Sequence, residues 1–210
     1  MLIAQPKPIQ DKRTREKELL ALMLLMATGL DAIAVRIARD EVGAKEGLQE
    51  AQALLFRSHQ HAAQIGGNNP NRSLNISILH GIATEQTRFA AGFVRDLEAG
   101  RYSAKAEGGE GMAARRQRVA LYANRLVGTA NWGWLASYDS SGQSVRWILG
   151  ENEDHCKDCL AESKIGWRSP ALLTRVPGDG RTLCIVNCKC HLETADGATS
   201  FSVPDQSVFA

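Results

Sequence analysis

The first 155 residues of this 210-residue chain contain no cysteine. A disulfide framework spread through a secreted fold is therefore excluded for that region. Net charge is also slight, at +2. Such a balance lacks the global basic signature of nucleic-acid binders. No long internal repeat or low-complexity tract occurs. The longest apolar run (residues 19–30) is cut by Asp31 and Arg36 before it reaches the roughly twenty residues a membrane span needs. The segment ahead of it carries Asp11, Glu16 and Glu18, which argues against a signal peptide. The expectation for this run is the buried stripe of a helix.

What is present begins with helical periodicity. An apolar fraction of 44% suffices for a core. Residues 1–10 carry two prolines and no period, and read as an extended arm. From residue 11 to 139 the pattern is helical. Leu30, Ile33 and Ile37, then Leu48, Ala51, Leu54 and Leu55, recur at three- and four-residue steps. Gly43 and Gly47 mark a weak point between two helices. Gly66-Gly67-Asn68-Asn69-Pro70 is a stop. A third helix is expected over 74–97, with Leu79, Ile82, Phe89 and Phe93 on one side. A glycine-rich linker follows at 100–111, then a fourth helix over 112–138. Gly128 and Gly133 each cost that helix about 1 kcal/mol relative to alanine, which close packing against another backbone would explain.

Beyond residue 139 the character changes. Residues 140–142 form a turn, 145–149 a short strand, and 182–186 a second one. Residues 194–210 read as a polar tail with little to bury. The fold class expected is mainly α: long amphipathic helices with a small β-containing zinc module at 140–193.

All five cysteines fall in that module, as Cys156-x2-Cys159 and Cys184-x3-Cys188-x-Cys190, flanked by His155 and His191. Two separated pairs, each able to chelate, are what a tetrahedral zinc site requires. Cys156 and Cys159 form the first pair. Cys184, Cys188 and Cys190 compete for the other two places, with His191 as an outside choice. A structural zinc held by four of the five cysteines is the leading reading. It would stabilise a module too small and glycine-rich to build much core, with Trp147, Ile148, Leu160, Trp167, Leu172, Leu183 and Val186 as apolar support.

Three other chemistries fit the cysteines less well. Two disulfides with one free thiol fit the count. Redox chemistry lacks a surrounding βαβ pattern. A zinc deaminase would place its His-x-Glu before the paired cysteines, whereas His191-Leu192-Glu193 lies after them.

Elsewhere, Arg115, Arg116, Arg118 and Arg125, with Arg101 and Lys105 upstream, read as a solvated face, with a phosphate contact as the alternative. Trp132, Trp134 and Tyr138 read as core or interface rather than as a base-stacking platform. His59 and His61 diverge on a helix and His80 is ordinary, so none is a metal ligand. Pro177-Gly178-Asp179-Gly180 is a turn, since no helix start follows it to make a phosphate loop.

The region 131–192 resembles the phage head-morphogenesis proteins, minor head proteins associated with the portal. The residues carrying the resemblance are Trp147, His155-Cys156-Lys157-Asp158-Cys159, Pro177-Gly178-Asp179-Gly180 and Asn187-Cys188-Lys189-Cys190. Ala130-Asn131-Trp132-Gly133 is compatible with the same layout. Where many relatives have His-Pro-Asn before the last cysteines, this chain has Cys184-Ile185-Val186-Asn187, which leaves the fourth ligand open. The resemblance implies a virion component without an enzymatic step, acting in the host cytoplasm during capsid assembly. It implies portal or other capsid proteins as partners, several copies or a homo-oligomer, packaged DNA as a further contact, and no membrane. The rival reading is a zinc-ribbon nucleic-acid-binding protein. Against it, Lys157, Lys164, Arg168, Arg175, Arg181 and Lys189 are offset by Glu151, Glu153, Asp154, Asp158, Glu162 and Asp179.

Overall fold

The computed structural model describes residues 11–67, 76–102, 111–138, 142–151, 154–185 and 187–204. The expected arm at 1–10, the Asn68–Pro70 part of the stop, most of the linker, Val186 and residues 205–210 lie outside them. The chain is mainly helical, with a small sheet and the cysteines near its C-terminus.

Helix α1 spans Lys12–Ala38. The Asp11 side chain caps it, accepting from the Thr14 N–H at 3.0 Å and the Thr14 hydroxyl at 2.8 Å. It ends where Asp40 takes φ 57 and the N–H groups of Asp40 and Glu41 bond back to Ile37 and Arg36. Aspartate tolerates this left-handed position better than most residues. The break thus precedes Gly43, and Gly47 lies inside α2, Ala44–Gly67. There a Cβ would meet Ile37 Cδ1 at 2.6 Å, so Gly47 serves the α1–α2 contact.

Helices α3, Ile76–Glu98, and α4, Gly111–Tyr138, complete the bundle. By length and composition α1 could cross a membrane. Its Leu19, Met23, Met26, Leu30, Ile33 and Ile37 are nevertheless buried within the bundle. Asp31, which interrupts the apolar run, accepts from Arg115 Nε of α4 at 2.7 Å and from its Nη2 at 3.3 Å. Arg125 pairs with Glu85 at 3.2 Å. Arg115 at the head of α4 and Arg125 further along it are therefore held inside the bundle rather than on a solvated face.

The expectation about close packing holds for α4. A Cβ on Gly133 would lie 2.2 Å from the Ala63 carbonyl oxygen, and one on Gly66 1.9 Å from that of Ala130. Only glycine lets α2 and α4 approach so closely. Trp134 is buried in the core, its ring tilted 49° to that of Tyr138 with centroids 4.6 Å apart, while Trp132 and Tyr138 are half-buried.

His59 is sealed between α2 and α4, its Nδ1 2.7 Å from Thr129 Oγ1. Burial, aided by the charge of Arg125, lowers its pKa to about 3. The neutral form is favoured in the fold, while the unfolded chain takes up a proton near pH 6.5. Stability contributed by this group is present above pH 6.5 and is lost as pH falls towards 3, by about 1.4 kcal/mol per unit. Thermal melts at pH 7 and pH 4.5 should show His59→Gln losing less stability on acidification than the parent chain. Equal losses would assign the acid sensitivity elsewhere.

After α4, strand β1, Val145–Ile148, pairs antiparallel with β2, His191–Thr194, with Val145 opposite Thr194 and Ile148 opposite His191. Val145 and Trp147 face inward, as do Leu192 and Thr194. The strand expected at 182–186 is a turn in its described part. There the Ile185 N–H bonds the Thr182 carbonyl at 2.8 Å, and Ile185 takes φ 51.

The expected polar tail also needs correction over its described part. The chain turns at Gly197 and runs back along β2, with the Ser200 N–H on the Leu192 carbonyl at 2.8 Å. Phe201 and Val203, alternate residues on one side of an extended segment, enter the core.

Candidate metal centre

The first cysteine pair opens helix α5, Lys157–Ile165. Cys156 is its N-cap, and its sulfur accepts the Cys159 N–H at 3.4 Å. The cap geometry turns both sulfurs towards the loop that carries the other three.

Cys159 stands at the middle. Its sulfur lies 3.6 Å from that of Cys184 and 3.6 Å from that of Cys188. A disulfide needs about 2.05 Å, and all five cysteines are free. Four thiolates at 2.3 Å around a tetrahedral zinc are separated by about 3.8 Å, so the observed spacing fits a metal site. Two groups have ligand atoms within 4.8 Å of one another: Cys156, Cys159 and Cys184; and Cys159, Cys188 and Cys190. The cluster can hold a metal ion.

Among the described residues these groups contain no histidine. His191, the outside choice, sits on β2 between inward-facing Cys190 and Leu192 and is half-buried. Burial and Lys12 lower its pKa. His155 is not brought into either group.

The electrostatics show what such crowding requires. Contacts from Cys159 and Cys188 push Cys184 down, and the Thr182 hydroxyl, 3.1 Å from its sulfur, adds to this. The same two neighbours push Cys190 down against the effect of its burial. Contacts with Cys184, Cys188 and Cys190 push Cys159 up. Cys188 is favoured as a thiolate by Cys159, but Cys184, Cys190 and burial outweigh that and push it up. Sulfurs this close cannot all carry charge together, and a divalent cation relieves what shared protons relieve only in part.

Several elements hold the sulfurs in place. A Cβ on Gly150 would lie 2.3 Å from the Lys189 carbonyl oxygen, so this glycine admits the Cys188–Cys190 segment against the end of β1. Glu162, on the inner side of α5, is buried and accepts from Arg168 and, at 2.6 Å, from Arg175. Burial alone would raise its carboxyl, but the two guanidinium groups hold it below the usual range. Asp158 pairs with Arg175 at 3.4 Å and accepts the Leu183 N–H at 2.8 Å. Residues that in sequence read as offsetting surface charges are the clamps of α5.

The apolar support differs from expectation. Trp147 is buried and Ile148 half-buried, but Leu160, Trp167, Leu172 and Leu183 are exposed. Val176, Leu192, Phe201 and Val203 supply the packing instead.

The cysteine region is also fastened to α4. Asn131 is fully buried. Its amide group donates to the carbonyls of Pro177 and Phe201, both at 2.9 Å, and its oxygen accepts the Phe201 N–H at 2.8 Å. Beside it, a Cβ on Gly128 would lie 2.5 Å from the Asp179 backbone. Asp179 is buried, which raises its carboxyl although it accepts the N–H groups of Val176 and Arg181, both at 2.9 Å. The turn predicted at 177–180 is thus the contact by which the cysteine region docks on the bundle.

Comparison with family models, with curated proteins and with solved structures finds no match to this chain.

Proposed function

We propose that this protein is a structural minor head protein of a tailed phage, acting in capsid assembly near the portal or inside the head. The reading rests on the order Trp147, Cys156-x2-Cys159, Pro177-Gly178-Asp179-Gly180, Asn187-Cys188-Lys189-Cys190. Support comes from the position of these residues. The sulfurs cluster together, Trp147 is buried opposite Leu192 two residues beyond Cys190, and the 177–180 turn meets α4 at Gly128 and Asn131.

Zinc is the metal proposed, because an all-thiolate set at this spacing suits a closed tetrahedral site. Four of the five cysteines would hold it, and its contribution would be structural. The role is architectural, without an enzymatic step or a membrane. The metal-fixed module presents a fixed surface to portal or other capsid proteins, in several copies, with packaged DNA as a further contact. The protein would belong to the virion and, during assembly, to the host cytoplasm.

The test is to express the chain with its neighbouring phage genes and assay purified heads for it. Its presence in assembled particles, or in a ring-shaped complex with the portal, is the expected result. Its absence from heads, together with salt-dependent binding to duplex DNA by the full chain, would replace this reading with the zinc-ribbon nucleic-acid binder.

A further inference from the structure

The five sulfurs fall into two groups of three: Cys156, Cys159 and Cys184; and Cys159, Cys188 and Cys190. The groups share Cys159 alone. Within each group every sulfur lies within 4.8 Å of the others, and among the described residues no set of four does so. Cys159 is 3.6 Å from Cys184 in the first group and 3.6 Å from Cys188 in the second. One tetrahedral ion must therefore draw on both groups and leave one cysteine out. Two three-coordinate ions face no such choice. Three ligands for each, with one shared, use all five cysteines of the chain.

The donor set bears on which ion this suits. Every ligand is a thiolate, and soft ligands of this kind select copper(I) as well as zinc. Copper(I) has a filled d shell and is content with three thiolates in a plane. At a metal–sulfur bond of about 2.3 Å, three sulfurs around one ion lie about 4.0 Å apart. That falls between the 3.6 Å contacts and the 4.8 Å limit of each group. A bridging thiolate must be reached from two sides, and Cys159 is the sulfur so placed. It is the third residue of α5, where the helix N-terminus favours negative charge. The groups differ in access. Cys156 and Cys184 of the first are half-buried, whereas all three members of the second are buried.

We propose that the cysteine cluster is also a binuclear copper(I) site. One ion is held by Cys156, Cys159 and Cys184, a second by Cys159, Cys188 and Cys190, and the Cys159 thiolate bridges them. The proposal rests on the all-thiolate metal reading given above and goes beyond zinc. Loading forms three copper–sulfur bonds to each ion. The thiol protons pass to solvent. The metal enters and stays as copper(I), so no electron is transferred. One zinc leaves one thiol unbound, whereas two coppers leave none.

Copper(I) alone, titrated without oxygen into the reduced full chain against a chromophoric copper(I) chelator, tests this. The parent should saturate at two coppers per chain. X-ray absorption should then show copper–copper scattering, and no thiol should remain for alkylation. The zinc-loaded parent should keep one reactive thiol. Cys156→Ser and Cys190→Ser should each hold one copper without that scattering. Saturation of the parent at one copper, or two coppers without copper–copper scattering, would overturn the bridged site. Zinc binding by the same chain would then leave the metal reading intact. Two bridged coppers in a chain that binds no zinc would support the site and remove only zinc from the metal reading. A parent that binds neither ion would overturn both.

Discussion

Cys159→Ser should abolish metal binding and unfold the cysteine region while leaving the four-helix bundle folded. Cys159 is the member common to both sulfur groups. Its sulfur is nearly inaccessible and touches Cys184 and Cys188 at the same distance. A serine hydroxyl is a poor replacement for a soft thiolate. Structural zinc contributes about 10–16 kcal/mol in small peptides, so this is the largest single effect expected. The bundle has its own core, in which Met23, Met26, Leu55, Phe93 and Leu126 are buried. Metal content should fall to background and the near-ultraviolet signal of Trp147 should weaken, with most helical ellipticity retained. A variant that keeps its metal would show that Cys159 is not central.

The second large effect is expected at the seam between module and bundle. Asn131→Ala strands the Pro177 and Phe201 carbonyls and the Phe201 N–H, all buried. Each unpaired group costs about 1–3 kcal/mol, so a loss of about 3–5 kcal/mol is expected. Gly128→Ala acts at the same seam by a different route. Its new Cβ meets the Asp179 backbone rather than a flexible side chain, and overpacking of this kind costs about 1–3 kcal/mol or more. Chemical denaturation should show both losses. Limited proteolysis should cut near residues 177–180 faster in both variants. Parent-like stability in Asn131→Ala would mean that the module does not depend on this anchor.

The two seams of α4 also show what could be read in advance. Gly128 and Gly133 were recognisable because glycines inside an otherwise good helix need a reason, and each proved to face another backbone. The helices themselves were legible from three- and four-residue apolar spacing, a local property. The pairing of β1 was not. Its partner, His191-Leu192-Glu193-Thr194, alternates only over four residues, while the 182–186 stretch resembles a strand and is bent into a turn to present Cys184. Phe201 and Val203 were hidden for a similar reason. Two apolar residues among serine, threonine and proline carry little signal until β2 supplies the surface they cover. Glu162 was invisible as a core residue because its burial depends on Arg168 and Arg175, which follow in sequence but meet it only in the fold. Within the cysteine set, spacing identified the cluster, and geometry placed Cys159 at its centre.

Elemental analysis of the full chain purified without chelator, combined with mass spectrometry of its thiols, tests the central claim most directly. The account predicts about one zinc per chain and five cysteines that all alkylate once the protein is denatured with chelator. A chain without metal, carrying two disulfides among Cys156, Cys159, Cys184, Cys188 and Cys190, would contradict it.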